Sequence, residues 1–129
     1  MEFDIEQEIK LNLIIAFIVS IIYGLWFLIS VESWVAMVNW PYLDPFAGKT
    51  IGSIYTALAI ILLKTFKERD EWEKIENTLL FLAITSIIGI IISIFGMVAY
   101  NLPAVAIVNL IIYLVLAILN IHIYIQKRK

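Results

Sequence analysis

The chain has 129 residues, 63% of them hydrophobic and 16% charged, with a net charge of −2. A soluble domain of this length cannot hide so much apolar surface, because small domains keep a large share of their surface in water. The lack of cysteine excludes disulfides, thiolate catalysis and cysteine-bound metal clusters, and the lack of a basic stripe argues against a nucleic-acid partner. We therefore expect one polytopic, all-α transmembrane domain, an antiparallel bundle of four helices whose main partner is the lipid bilayer.

The first predicted span covers about residues 10–31. Its charge-free run, residues 11–31, is long enough for a helix to cross a hydrocarbon core of about 30 Å. The residues before it are acidic, and no small-residue cleavage site follows it. Because a secretory signal peptide has the opposite features, we expect this helix to remain in the protein.

The loop after the first span, Ser33 to Leu43, is nearly all apolar. Ser33 favours a short helix from Trp34 to Asn39, which Pro41 would end. Its aromatic residues suit the membrane–water boundary; they are Trp34, Trp40 and Tyr42. We expect a short interfacial helix, which either anchors the loop at the surface or folds as a lid over the bundle.

The other three spans are predicted at about residues 45–66, 72–99 and 103–126. Asp44 and Pro45 fit the N-cap and the first helical position of the second span, which contains Lys49. Residues 77–102 and 102–126 are charge-free, and a tight turn at residues 100–103 separates the third and fourth spans. Residues 64–76 are dense in charges of both signs, which favours a solvated helical hairpin over a docking site for a partner.

The basic residues predict the orientation of the chain. Eight of the nine lie at residue 10, between residues 64 and 74, or after residue 126, all on one predicted side, and only Lys49 falls on the other side. Cytoplasmic loops carry the excess of lysine and arginine in membrane proteins. The chain is therefore predicted to be a multi-pass protein of the cell membrane with both termini in the cytoplasm.

Small residues recur at helical spacing in the first three spans, where they favour close helix packing in lipid. They are Ala16, Ser20 and Gly24; Gly48, Gly52, Thr56 and Ala59; and Ser86, Gly89, Ser93 and Gly96. The fourth span instead carries a polar and aromatic stripe, which consists of Asn109, Tyr113, Ala117, Asn120 and Tyr124. Amides facing hydrocarbon are costly, so we expect this stripe to face the bundle interior, with Asn120 beside Asn12. Its role is either hydrogen bonding between helices or a ligand path.

Two charged residues are expected close to the outer membrane boundary, and the helix dipole disfavours both. Glu32 stands at the C-terminal end of the first span, and Lys49 stands one turn inside the second. Pairing them would relieve both costs, and Asp44 could share the lysine. At similar or slightly greater depth we expect Asn109 and two tyrosines, Tyr55 and Tyr113. These six residues form a candidate outer pocket, either a structural salt bridge or a ligand site.

Catalytic chemistry has little support in the sequence. His122 is the only histidine, and no carboxylate or second histidine is expected near it, so we predict no metal site. No phosphate-binding loop, zinc-binding helix or nucleophile elbow occurs, and no pair of carboxylates lies within the spans. We therefore expect no cofactor and no enzyme activity.

One part of the chain resembles a known group of proteins. Residues Trp40-Pro41, Pro45 and Lys49-Thr-Ile-Gly52, followed by a Leu- and Ala-rich helix and then Arg69-Asp-Glu-Trp72, look like a pattern of uncharacterised four-helix membrane proteins of bacteria and archaea, within the broader DoxX-like families. The similarity covers about a third of the chain. It implies a four-helix bundle with no settled activity.

Three functions are compatible with these features. The first is a small structural or accessory membrane protein that binds a partner protein, a lipid or a small ligand through its bundle. The second is a transporter or channel formed as a homo-oligomer, since four short helices rarely enclose a path alone. The third and least supported is a membrane enzyme that acts through Glu32, Asp44 and Lys49.

Overall fold

The computed structural model describes residues 4–40, 44–102 and 104–129. They form four helices: α1 (Ile5–Val38), α2 (Pro45–Lys67), α3 (Trp72–Tyr100) and α4 (Val105–Arg128). Each is long and apolar enough to cross a membrane. The four predicted helices are confirmed, although α1 begins before the predicted residue 10 and continues well past residue 31. The predicted start of the fourth helix, Pro103, lies outside the described residues.

A kink at Ser30 divides α1 into two helical segments. Ser30 has φ −153° and ψ 70°, so it leaves the helical conformation. The Ser33 hydroxyl donates a 2.8 Å hydrogen bond to the Ser30 carbonyl and accepts one, also 2.8 Å, from Trp26 Nε1. The first bond gives the Ser30 carbonyl a hydrogen-bond partner, and the second holds the Ser33 hydroxyl in place. The kink therefore forms without a proline or a glycine.

The helix predicted from Trp34 to Asn39 is therefore not separate but is the last part of α1, after the kink. Helical structure continues to Val38, and Asn39 ends it in the left-handed conformation at φ 53°. The Trp40 N–H closes this turn on the Val35 carbonyl at 3.1 Å. The predicted stop at Pro41 and the aromatic Tyr42 lie outside the described residues.

The predicted start of α2 is confirmed. Asp44 Oδ1 accepts hydrogen bonds from the Phe46 N–H at 3.0 Å and the Ala47 N–H at 3.2 Å, and Pro45 occupies the first turn. A carboxylate at this position accepts hydrogen bonds from backbone N–H groups that have no partner within the helix, and the positive end of the helix dipole stabilises its negative charge. The same hydrogen bonds hold the Asp44 side chain at the start of α2.

The helices form an incomplete ring. α1 packs extensively against α2 and also against α4, and α4 packs against α3, but α2 and α3 barely touch. Neighbouring helices run antiparallel, so one end of the bundle holds the starts of α1 and α3 and the ends of α2 and α4. We call this the termini end. The other, which holds the Ser30 kink and the start of α2, is the opposite end.

The predicted small-residue stripes lie at helix contacts. Between α1 and α2, a Cβ atom added at Gly52 would lie 2.6 Å from the Leu28 backbone nitrogen, so the two backbones meet directly. Between α3 and α4, a Cβ atom at Gly89 would lie 2.6 Å from the Tyr113 ring. Close backbone approach is the main reason for small residues at helix contacts in lipid. The packing prediction is confirmed at both contacts.

The apolar core lies in the half of the bundle nearest the termini end. Leu13, Leu62, Leu79 and Ile123 are fully buried there, one from each helix. Many large apolar side chains instead cover the outside of the bundle, for example Ile29, Ile60, Ile92 and Val98. An apolar surface of this extent needs lipid or a partner to cover it.

Candidate ligand cavity

A cavity of about 630 Å³ fills the half of the bundle away from the termini end. All four helices contribute to its wall, and most of the lining side chains are aliphatic or aromatic. This volume lies within the range of small-molecule sites, which are concave, mostly apolar and equipped with a few polar groups. The open seam between α2 and α3 and the lack of large side chains on the small-residue faces account for the space.

The core closes the cavity toward the termini end. Ala16, Leu82 and Leu116 line the cavity and also belong to the buried core cluster. Below them, Asn12 Nδ2 donates to Asn120 Oδ1 at 2.8 Å, and Asn120 Nδ2 donates to Asn12 Oδ1 at 3.1 Å. The predicted pairing of these two amides is confirmed. Together with the apolar layer it separates the cavity from the termini end.

Aromatic side chains line the cavity toward the opposite end. The Phe27 and Trp34 ring centroids are 4.9 Å apart, and those of Trp34 and Trp40 are 5.5 Å apart. Trp34 is buried, and all three residues line the cavity. This placement favours a lid over a surface anchor for Trp34 and Trp40. Placement of the segment at a membrane boundary stays a prediction.

Several polar side chains interrupt the mostly apolar wall of the cavity, and we call four of them the polar cluster: Tyr23, Tyr55, Asn109 and Tyr113. The Tyr23 hydroxyl donates to Asn109 Oδ1 at 2.9 Å. The Tyr55 and Tyr113 hydroxyls share a hydrogen bond of 3.0 Å, and the Tyr23 and Tyr55 rings lie 6.3 Å apart. The cluster therefore connects α1, α2 and α4.

The structure brings together three of the residues predicted for the outer pocket, Tyr55, Asn109 and Tyr113. Sequence reasoning missed Tyr23. The available signal was its position on α1, three residues after Ser20 and one before Gly24, next to the small-residue face that packs inward. A tyrosine beside such a face is well placed to reach the interior.

The stripe on α4 faces the interior along its whole length. Asn109, Tyr113 and Asn120 make the bonds described above, Ala117 is buried, and the Tyr124 hydroxyl donates to Glu76 Oε1 at 3.3 Å. Hydrogen bonding between helices is therefore confirmed as one role of the stripe. Only the half of the stripe away from the termini end lines the cavity.

The predicted ion pair between Glu32 and Lys49 is wrong. Lys49 Nζ donates instead to the Leu28 carbonyl at 3.3 Å, and Glu32 is exposed, with no ion pair between the two in the described part of the chain. The physical reason is the kink at Ser30, which lies between Leu28 and Glu32 and turns the end of α1 away from its earlier course. Asp44 does line the cavity, at its mouth, whereas Glu32 and Lys49 do not.

The cavity reaches the outside of the bundle between α2 and α3. Ile54 of α2 is 61% exposed and Phe81 of α3 is 51% exposed, yet both line the cavity, as does the exposed Ile51. Near the termini end, Thr65 Oγ1 donates to Thr78 Oγ1 at 3.3 Å and joins the two helices. Further out the seam is flanked by apolar side chains. We call this gap the side opening.

His122 has a partner that the sequence did not indicate. Its Nδ1 atom lies 2.6 Å from Glu8 Oε2, and its Nε2 atom lies 3.3 Å from Gln126 Nε2. The expectation that no carboxylate lies nearby is wrong, because antiparallel packing brings the start of α1 against the end of α4. Within residues 4–40, 44–102 and 104–129, no group of three metal-binding side chains occurs.

Comparison with protein-family models, curated proteins and solved structures finds no match to this chain. The similarity to DoxX-like proteins therefore stays a prediction.

Proposed function

We propose that the chain is a multi-pass protein of the cell membrane whose bundle binds a lipid-like or other apolar small molecule, in a structural or accessory role. Both termini lie in the cytoplasm, and the cavity occupies the outer half of the membrane. The apolar outer surface and the one-sided distribution of basic residues support this placement. In this orientation the bundle is related in architecture to the DoxX-like proteins.

The cavity carries the proposal. Its volume suits a small molecule or part of a lipid chain, and its aliphatic and aromatic wall would remove apolar ligand surface from its surroundings. The polar cluster supplies a few hydrogen-bonding groups that can orient such a ligand. Among the described lining residues, Asp44 is the only one with a formal charge, which favours binding over acid–base catalysis.

The alternative, an oligomeric transporter or channel subunit, has less support. A continuous path through one bundle would have to cross the layer that contains Leu13, Leu79 and the Asn12–Asn120 pair, all fully buried. The exposed apolar surface is also available to a membrane protein partner or a second copy of the chain, and neither is needed to form the cavity.

The proposal can be tested by filling the cavity with a larger side chain. Two neighbouring isoleucines on α4 provide the test variant and its control. Ile112 lines the cavity, whereas Ile111 is 54% exposed and does not. We expect native mass spectrometry of the purified protein to show a co-purified small molecule in the wild type and in Ile111→Trp, and to show little or none in Ile112→Trp. Thermal unfolding in detergent checks that both variants fold, since overpacking can cost about 1–3 kcal/mol. Equal retention of bound molecules by two folded variants would contradict the proposal.

A further inference from the structure

We propose, on the premise of the proposed function, that the polar cluster recognises a neutral hydrogen-bond acceptor, such as an ester or ketone carbonyl, on a lipid-soluble molecule that reaches the cavity from the bilayer. The ligand's apolar part would lie against the aliphatic wall, and its carbonyl oxygen would lie at Asn109.

The hydrogen-bond inventory of the cluster favours an acceptor on the ligand. Asn109 Oδ1 already accepts from Tyr23, while its Nδ2 group donates to no described residue. The paired hydroxyls of Tyr55 and Tyr113 use one of their two protons on each other, so one O–H remains free for a further acceptor. Unused N–H and O–H donors therefore remain inside a mostly apolar cavity, where an unmet donor is less well tolerated than a spare acceptor lone pair.

The charges around the cavity favour a neutral ligand group. The polar cluster has no formal charge, and Lys49, the nearest cation of α2, points to the Leu28 carbonyl rather than into the cavity. A carboxylate at Asn109 would therefore be buried without a cation to offset it, which is expensive in a low dielectric. Asp44 could attract a cation, but it lies at the mouth and bonds to the start of α2.

The side opening favours the bilayer as the source of the ligand. Ile51, Ile54 and Phe81 flank it, so the route between α2 and α3 is apolar from the outside to the cavity. An apolar route of this kind admits a molecule that is already dissolved among lipid tails. It has no polar groups to replace the water around a strongly hydrated molecule. Toward the opposite end, the buried Trp34 and its ring contacts with Phe27 and Trp40 cover the cavity.

Photolabelling with two matched probes tests the inference. The full chain is placed in liposomes of diether phosphatidylcholine, so that the host lipid supplies no ester carbonyl. One probe is a fatty acid methyl ester with a diazirine in its chain, and the other is an alkane of the same length with the diazirine at the same carbon. Peptide mass spectrometry then identifies the labelled residues.

We expect the ester to label the cavity residues more strongly than the alkane. Asn109→Leu should reduce ester labelling by about threefold to tenfold, the effect of one hydrogen bond, and leave alkane labelling unchanged. Asn77→Leu, which removes an exposed amide outside the cavity, should change neither. If Asn109→Leu does not fold, Asn109→Ala gives the same readout, because it also removes the amide and introduces no larger side chain.

Each failure has a distinct meaning. Equal labelling by ester and alkane in the wild type, or an equal loss of both in Asn109→Leu, would overturn acceptor recognition and leave an apolar binding cavity in place. Labelling of the cavity by neither probe would contradict the proposed function itself.

Discussion

The Asn12–Asn120 pair and the polar cluster are two groups of hydrogen-bonded side chains inside the bundle, and they are arranged differently. Asn12 and Asn120 are fully buried and satisfy each other, and Asn120 Nδ2 also donates to the Leu116 carbonyl at 2.7 Å. In the polar cluster, by contrast, the Asn109 amide and one hydroxyl of the Tyr55–Tyr113 pair retain unused donors beside the cavity. A satisfied buried pair fixes helix register, whereas unused donors in a cavity suit a ligand.

The amide pair gives a prediction about stability. We expect Asn120→Leu to lower the free energy of unfolding by about 1–3 kcal/mol, because it leaves the Asn12 amide buried without a partner. Asn12→Leu should cost less, since Asn120 keeps its bond to Leu116. Unfolding in mixed detergent micelles measures both variants and the double variant, whose loss should be smaller than the sum by about 0.6–2 kcal/mol. Additive losses would show that the two amides do not stabilise each other.

At the scale of the helices, the seam between α2 and α3 is the weakest of the four helix contacts in the bundle. Glycine and other small residues bring α1 close to α2 and α3 close to α4. Between α2 and α3 the structure has a threonine pair near the termini end and few other contacts, so the ring stays open beside the cavity. The same open seam is the proposed route by which lipid-soluble molecules reach the polar cluster.

Narrowing the side opening should therefore slow access to the cavity. Ile54→Trp places a large ring at the seam, whereas Ile60→Trp places it on an exposed part of α2 that does not line the cavity. We expect the initial rate of cavity labelling by the ester probe to fall severalfold in Ile54→Trp and to match the wild type in Ile60→Trp. Unchanged rates in both variants would mean that the ligand does not pass between α2 and α3.

Some helix-scale features could be predicted from the sequence because they depend on local patterns. Charge-free runs gave the spans, Asp44 and Pro45 gave the start of α2, and the spacing of polar residues on α4 gave the pair of Asn120 with Asn12. The kink at Ser30 could not be predicted, because it depends on hydrogen bonds among Ser30, Ser33 and Trp26 rather than on proline or glycine.

Other features depend on how the helices are rotated and crossed, which a single sequence does not specify. Tyr23 in the cluster, Glu8 beside His122 and the open seam between α2 and α3 are of this kind. The outer pocket was expected to have charges at its rim. The kink removed Glu32 from that rim, and the polar cluster that remained is neutral.

At the scale of the whole molecule, the two halves of the bundle differ in packing and in charge. Toward the termini end the interior is filled, and the surface there carries most of the charged residues. Toward the opposite end the interior holds the cavity, and its charged residues in the described chain are Glu32, Asp44 and Lys49. This polarity supports the proposed placement, in which the termini end faces the cytoplasm and the cavity takes its ligand from the outer half of the membrane.

The most direct test of this account is the placement of the bundle in the membrane, on which the cavity and its ligand both depend. The chain has no native cysteine, so single cysteines report position without background. Met37→Cys, at an exposed residue near the kinked end of α1, and Lys129→Cys can be treated with a membrane-impermeant maleimide on intact cells. The account predicts labelling of Met37→Cys in intact cells and of Lys129→Cys only after the cells are opened. Labelling of Lys129→Cys from outside, or recovery of the chain in the soluble fraction without detergent, would contradict it.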